Sequence, residues 1–237
     1  MREEQTRRPP AAAISSRSVR IPLGEVALEG DLVLPERASG LVVFAHGSGS
    51  SRFSTRNRYV AEVLQRAGLG TLLFDLLTPE EEAIDAYNAR LRFDIPLLAR
   101  RVVETTDWLK RTDETRQLAI GYFGASTGGG AALVAAAARP EAVAAVVSRG
   151  GRPDLAGEAL LRVQAPTLLI VGGYDDVVIE LNREAYALLR CEKALEIVPG
   201  ATHLFEEPGT LEAVARLATT WFTRHLASQE ARRDEGL

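Results

Sequence analysis

The chain has 237 residues, 46% hydrophobic and 25% charged, the balance of a globular protein able to bury one large core. Its net charge of −4, with no long basic run, argues against nucleic acid or an anionic membrane as partner. One cysteine, Cys191, rules out an intrachain disulfide and a cysteine metal cluster.

Residues 1–15, with Pro9-Pro10, many charges and no periodicity, are expected to be a mobile tail, as are residues 228–237. Neither the opening segment nor any later run has the apolar core of a signal peptide or the length to span a bilayer, so a cytoplasmic protein is expected. Residues 16–227 form the expected single domain. It begins with two strands, "SVRIPL" and "VALEGDLVLP", separated by a turn at Gly24. "LVVFAHG" is a short apolar run ending in turn residues, the pattern of a buried strand. "NRYVAEVLQRAG" has helical spacing and a glycine stop. After the strand "GTLLFDLL", the polar "EEEAIDAYNARLRF" is expected to be a loop with a helical turn, too short for a large lid. "DIPLLARRVVETTDWLKR" is a long amphipathic helix. Strand "QLAIGYFG", helix "TGGGAALVAAAARP", strand "VAAVVSRGG", short helix "DLAGEALLRV", strand "PTLLIVGG", helix "IELNREAYALLR", strand "KALEIVPG" and helix "GTLEAVARLATTWFTRHLA" complete the series. This alternation predicts an α/β fold, a mostly parallel sheet covered on both faces and preceded by an antiparallel hairpin. In such sheets ligands collect beyond the carboxyl ends of the strands.

At one of those ends lies Gly124-Ala125-Ser126-Thr127-Gly128, a G-x-S-x-G motif between strand and helix. Small neighbours let strand and helix approach closely, force the serine into an unfavourable backbone conformation, and lift its hydroxyl above the sheet. The alternative is a glycine-rich turn whose serine caps the helix. A serine hydroxyl needs a base, and the chain has three histidines. His203, in the loop "PGATHLFEEPG" after the last strand, is at the correct edge; His225 lies in the last helix, and His46 is expected to brace its own loop by hydrogen bonding. The base needs a carboxylate to orient it. "VGGYDDVV" offers Asp175 and Asp176; Asp175 is favoured because it can turn back over the sheet, and Asp176 is expected to cap the following helix. The N–H of Thr127 and that of Ser48, in "FAHGSGSSR", are the expected donors to an oxyanion.

The segments "HGSGSSRFSTRNRYVAEVL", "GYFGASTGGGAAL", "SRGGRPDLAG", "VGGYDDVVIELN" and "GATHLFEEPG" together resemble the α/β-hydrolase superfamily, and within it the dienelactone hydrolase family. The order Ser126, Asp175, His203 is that of the superfamily. The resemblance implies an eight-stranded, mostly parallel sheet with the second strand reversed and no large lid. It places the nucleophile on Ser126, the acid on Asp175 and the base on His203. Dienelactone hydrolases proper use cysteine; with serine here, a hydrolase of small carboxylic esters or lactones working through an acyl-enzyme is expected. The chemistry calls for no metal or cofactor, and the expected partner is a small ester rather than nucleic acid or membrane. Nothing in the sequence bears on oligomeric state. An acyltransferase or thioesterase with the same residues, and a non-catalytic binding module of the same fold, are the alternatives.

For substrate contacts the sequence offers Arg149 and Arg152, which could grip a carboxylate through forked hydrogen bonds or pair with Asp154 or Glu206. Leu77 and Tyr87 are expected to edge an open pocket.

Overall fold

The computed structural model describes residues 14–227. The expected tails fall almost wholly outside that range, except that the first strand already begins at Ile14.

Eight strands form one sheet: β1 (Ile14–Leu23), β2 (Val26–Pro35), β3 (Leu41–Ala45), β4 (Gly70–Phe74), β5 (Ile120–Ala125), β6 (Val143–Arg149), β7 (Thr167–Gly172) and β8 (Lys193–Val198). Their spatial order is β1-β2-β4-β3-β5-β6-β7-β8. β2 runs antiparallel to both neighbours and every other pairing is parallel. This is the α/β-hydrolase fold with its reversed second strand. The central strands β3, β4 and β5 are buried along their whole length, as their unbroken apolar runs require. The edges are polar: β1 carries Arg17 and Arg20, and β8 carries Lys193 and Glu196, charges that discourage pairing with another sheet.

Helices α1 (Thr55–Arg66), α2 (Pro79–Asn88), α3 (Ile95–Arg111), α4 (Thr127–Ala138), α5 (Asp176–Leu188) and α6 (Thr210–Leu226) surround the sheet. One core, with Tyr122 and Leu169 from the sheet, packs against α3, α4 and α5. The other, with Phe44, Phe123 and Ile170, packs against α1 and α6. Among the described residues no helix is long and apolar enough to cross a membrane.

Two elements differ from the expectation. The polar segment after β4 is a full helix, α2, rather than a loop with one turn. Thr78 caps it, Pro79 opens it, and Glu81 reaches back to the Thr78 N–H at 2.8 Å, closing a capping box. "DLAGEALLRV" folds as 3₁₀ turns over Pro153–Arg162, broken at Gly157 (φ 51°), instead of a regular helix.

The strand order reverses at β3, which pairs with β4 on one side and β5 on the other. Such a switch point leaves a crevice beyond the strand ends, and the loops after β3 and β5 flank it.

Candidate active site

Ser126 is the single residue between β5 and α4, with φ 50° and ψ −124°, a conformation that disfavours any residue with a Cβ. Its N–H donates to Arg149 O at 3.3 Å, and its carbonyl accepts from Gly129 N at 2.9 Å and Arg152 N at 3.0 Å. These bonds hold the strain. Its hydroxyl makes no capping bond to α4, so the helix-cap alternative fails. A Cβ on Gly128 would collide with the carbonyl oxygens of Ala45 and His46, and one on Gly124 would stand 2.5 Å from Gly129 Cα. The motif's glycines are therefore set by the approach of α4 to β3 and β5.

His203 follows β8. Its Nδ1 lies 2.6 Å from Asp175 Oδ2. Asp175 follows β7 and occupies the cap position of α5, yet its carboxylate caps nothing in that helix. Asp176, expected as the cap, is instead the exposed first helical residue. The two loops touch through their backbones: Tyr174 N donates to Ala201 O at 2.9 Å. A Cβ on Gly172 would stand 2.5 Å from that same oxygen. The histidine loop is pinned further by Thr202, whose N–H and hydroxyl donate to Glu207 at 3.0 and 2.6 Å, and by Glu206, which accepts from Arg56 at 2.9 Å. The buried Phe205 anchors it from below.

Ser126 and His203 each approach the end of β6. Ser126 bonds Arg149 O, and the imidazole Cε1 of His203 lies 3.6 Å from where a Cβ on the next residue, Gly150, would stand. Among the described residues no hydrogen bond joins the Ser126 hydroxyl to His203, whose hydrogen bond is to Asp175.

The loop after β3 approaches from the other side, and a Cβ on Gly47 would stand 3.1 Å from Ser126 Cβ. His46 braces this loop. Leu76 N donates to His46 Nε2 at 3.0 Å, so the proton resides on Nδ1, which donates to Gly47 O at 2.9 Å. Burial holds this imidazole below the ordinary histidine value, in keeping with a neutral ring. Arg52 adds a second brace, its N–H donating to Asp75 at 2.7 Å and its guanidinium pairing with the same carboxylate. Ser48 stands beside α4 with its N–H already engaged, donating to Thr127 Oγ1 at 2.9 Å.

A cavity of about 500 Å³ opens beside Gly47 and Ser48, with Leu76, Leu77, Leu98 and Arg92 among its walls. Arg92 was not singled out by the sequence. Asp85, almost fully buried on α2, fixes it by accepting from its N–H at 3.1 Å and its Nε at 2.5 Å. Of the expected pocket residues, Leu77 is a wall, but Tyr87 is 95% exposed and does not line the cavity. Asp85 faces inward on α2, and two residues on, about 200° around the helix, Tyr87 faces water. The two arginines are also elsewhere. Arg152 forms a bidentate pair with Asp154 at 2.8 and 2.7 Å. Arg149 points inward, 5% exposed, with Nη2 3.2 Å from Asn57 Oδ1 and its guanidinium 5.8 Å from the Phe205 ring centre. Burial, and then the neighbouring Arg56, lower its pKa to about 10. His225 lies in α6, its ring centre 4.7 Å from that of Trp221 and tilted by 56°, and 3.7 Å from Glu192. Among the described residues no group of three or more His, Cys, Asp or Glu is placed to hold a metal ion.

Residues 28–227 match the dienelactone hydrolase family. A crystal structure of a dienelactone hydrolase from Anabaena variabilis is similar at 64% identity and a TM-score of 0.89, covering 90% of this chain and 99% of that one. Est1E from Butyrivibrio proteoclasticus shares the fold at 17% identity and a TM-score of 0.74, over 89% of this chain and 99% of its own. A Mycobacterium tuberculosis protein provisionally named a phosphoribosyl transferase is 62% identical over 208 residues, which is 88% of this chain. The chain spans about half the length, 46%, of that curated relative. With a match extending from β2 through α6, over the elbow and both flanking loops, the chain belongs to the dienelactone hydrolase family.

Proposed function

We propose that this protein hydrolyses small carboxylic esters or lactones through an acyl-enzyme on Ser126. The observation that carries the reading is the 2.6 Å contact between Asp175 and His203 Nδ1, on a loop that reaches the end of β6 as the strained Ser126 turn does. With Nδ1 held by a carboxylate, Nε2 is the nitrogen left for the serine proton, and the ring's positive form is stabilised. Ser126 Oγ attacks the carbonyl carbon as its proton passes to His203 Nε2. Charge on the carbonyl oxygen is met by N–H groups at the start of α4 and the loop after β3. The tetrahedral species collapses, the alcohol leaves with the proton from His203, and water repeats the cycle to release the acid. The cavity beside Gly47 and Ser48 has room for a small acyl or alcohol group, and Leu76, Leu77 and Leu98 give it an apolar wall. Acyl transfer to an acceptor other than water and thioester cleavage would use the same groups.

The name of the Mycobacterium tuberculosis relative attaches to a protein of which this chain matches 46%. The 208 matched residues, 88% of this chain, include its serine elbow, and an ester-cleaving reading is preferred here to phosphoribosyl transfer. A fluorophosphonate probe and p-nitrophenyl acetate test it. Labelling and turnover are expected, both lost in Ser126→Ala, with turnover abolished in His203→Ala and nearly intact in His225→Ala. A wild-type protein that neither labels nor turns over would support a binding module instead.

A further inference from the structure

The side chain of Thr127 has no part in the mechanism above, yet its hydroxyl stands between the two proposed oxyanion donors. Thr127 is the first residue of α4, so its N–H has no acceptor within the helix. Its side chain is buried, 3% exposed, and Oγ1 accepts from Ser48 N at 2.9 Å. The hydroxyl proton has no acceptor among the described residues. Were Ser48 N–H to serve the substrate oxygen directly, it would first abandon Thr127 and leave a buried hydroxyl without its donor, an unfavourable exchange.

Resting on the hydrolase reading, we propose that the Thr127 hydroxyl is itself an oxyanion donor, with Ser48 N–H bonding Oγ1 and Oγ1–H bonding the substrate oxygen. No proton changes owner in this chain of bonds. A hydroxyl that accepts one hydrogen bond donates a stronger one, because the bonds polarise each other. The threonine methyl restricts χ1 and keeps the hydroxyl aimed. Thr127 then contributes a backbone donor and a side-chain donor to the same oxygen, and Ser48 acts through it.

Two variants separate this from a passive plug over Ser48 N–H. Thr127→Val keeps the shape and removes the hydroxyl; Thr127→Ser keeps the hydroxyl. Losing an oxyanion donor lowers kcat by about 100-fold or more, so Thr127→Val is expected to lose about that factor in kcat on p-nitrophenyl acetate and in the rate of fluorophosphonate labelling. KM should stay within about twofold, since the lost bond is made chiefly in the transition state. Thr127→Ser should recover most of both rates. A valine variant as fast as wild type, or faster, overturns the proposal, as does a serine variant as slow as valine. Should the valine variant not fold, Thr127→Ala carries the same test. Wild-type protein that neither labels nor turns over overturns the hydrolase reading and this one with it, whereas normal wild-type rates with an unimpaired valine variant overturn this one alone.

Discussion

Replacing Ser126 by glycine and, separately, by alanine isolates the energy stored at the turn. Both variants lack the hydroxyl, so their difference reports the backbone alone. Residue 126 sits at φ 50° and ψ −124°, where a Cβ is strained and glycine is not. Strain of this kind is worth about 1–3 kcal/mol. Glycine loses roughly 0.5–1 kcal/mol of that advantage through its freer unfolded chain. The net expectation is that Ser126→Gly is more stable than Ser126→Ala by about 1–2 kcal/mol. For a chain of this size each kcal/mol moves the melting temperature by about 2–4 °C, so the glycine variant should melt about 2–8 °C higher. Thermal melts of the two proteins, followed by circular dichroism at one concentration, measure it. Alanine melting above glycine, the order that glycine's freer unfolded chain alone would give, would mean that the turn carries no strain and that the elbow argument is unsound.

The acid is tested by Asp175→Asn, which should lower kcat on p-nitrophenyl acetate by about ten-thousand-fold through loss of the oriented, stabilised imidazole, whereas Asp176→Asn, on the exposed first turn of α5, should leave it within about twofold. Because burial depresses the His46 pKa below the ordinary 6.5, the unfolded chain binds a proton that the native ring resists. That contribution to stability is whole above about pH 6.5 and is lost as the pH falls below it, so urea unfolding from about pH 8 to 5 should weaken toward acid, less steeply in His46→Gln. Arg149→Met should keep KM within about twofold, because the guanidinium faces Asn57 inside the fold; a tenfold rise in KM for a carboxylate-bearing ester would place it at the substrate after all.

What the sequence makes legible here is local. The elbow is written in five consecutive residues, and the alternation of strand and helix fixes which loops share its edge. The α2 helix was equally local, since Thr78, Pro79 and Glu81 spell its cap, but its polar composition masks that signal. Other features depend on partners far along the chain. Ser48 N–H finds Thr127 across 79 residues, and Arg149 finds Asn57 across 92. The side to which Arg149 turns follows from strand alternation, because Val147 and Ala145, two and four residues earlier, belong to the core under α1 and α6. No spacing rule predicts that an arginine there ends beneath Phe205 without a carboxylate, because that depends on how the histidine loop closes over it.

The loops converge because the strand ends lack side chains where backbones cross. Beyond β3, Gly47 admits the Ser126 turn; after β6, Gly150 admits the carbonyl of His203; at the end of β7, Gly172 admits the carbonyls of Ala201 and Thr202. A Cβ at Gly172 would stand 2.5 and 2.6 Å from those two oxygens, too close for any side chain. The histidine loop would have to lift by about an ångström to restore ordinary contact. A shift of that size is enough to break the short bond between Asp175 and His203 while the sheet below keeps its packing. The glycines flanking the strand ends therefore set the precision of the site, and the apolar runs between them set only the stability of the platform that carries it.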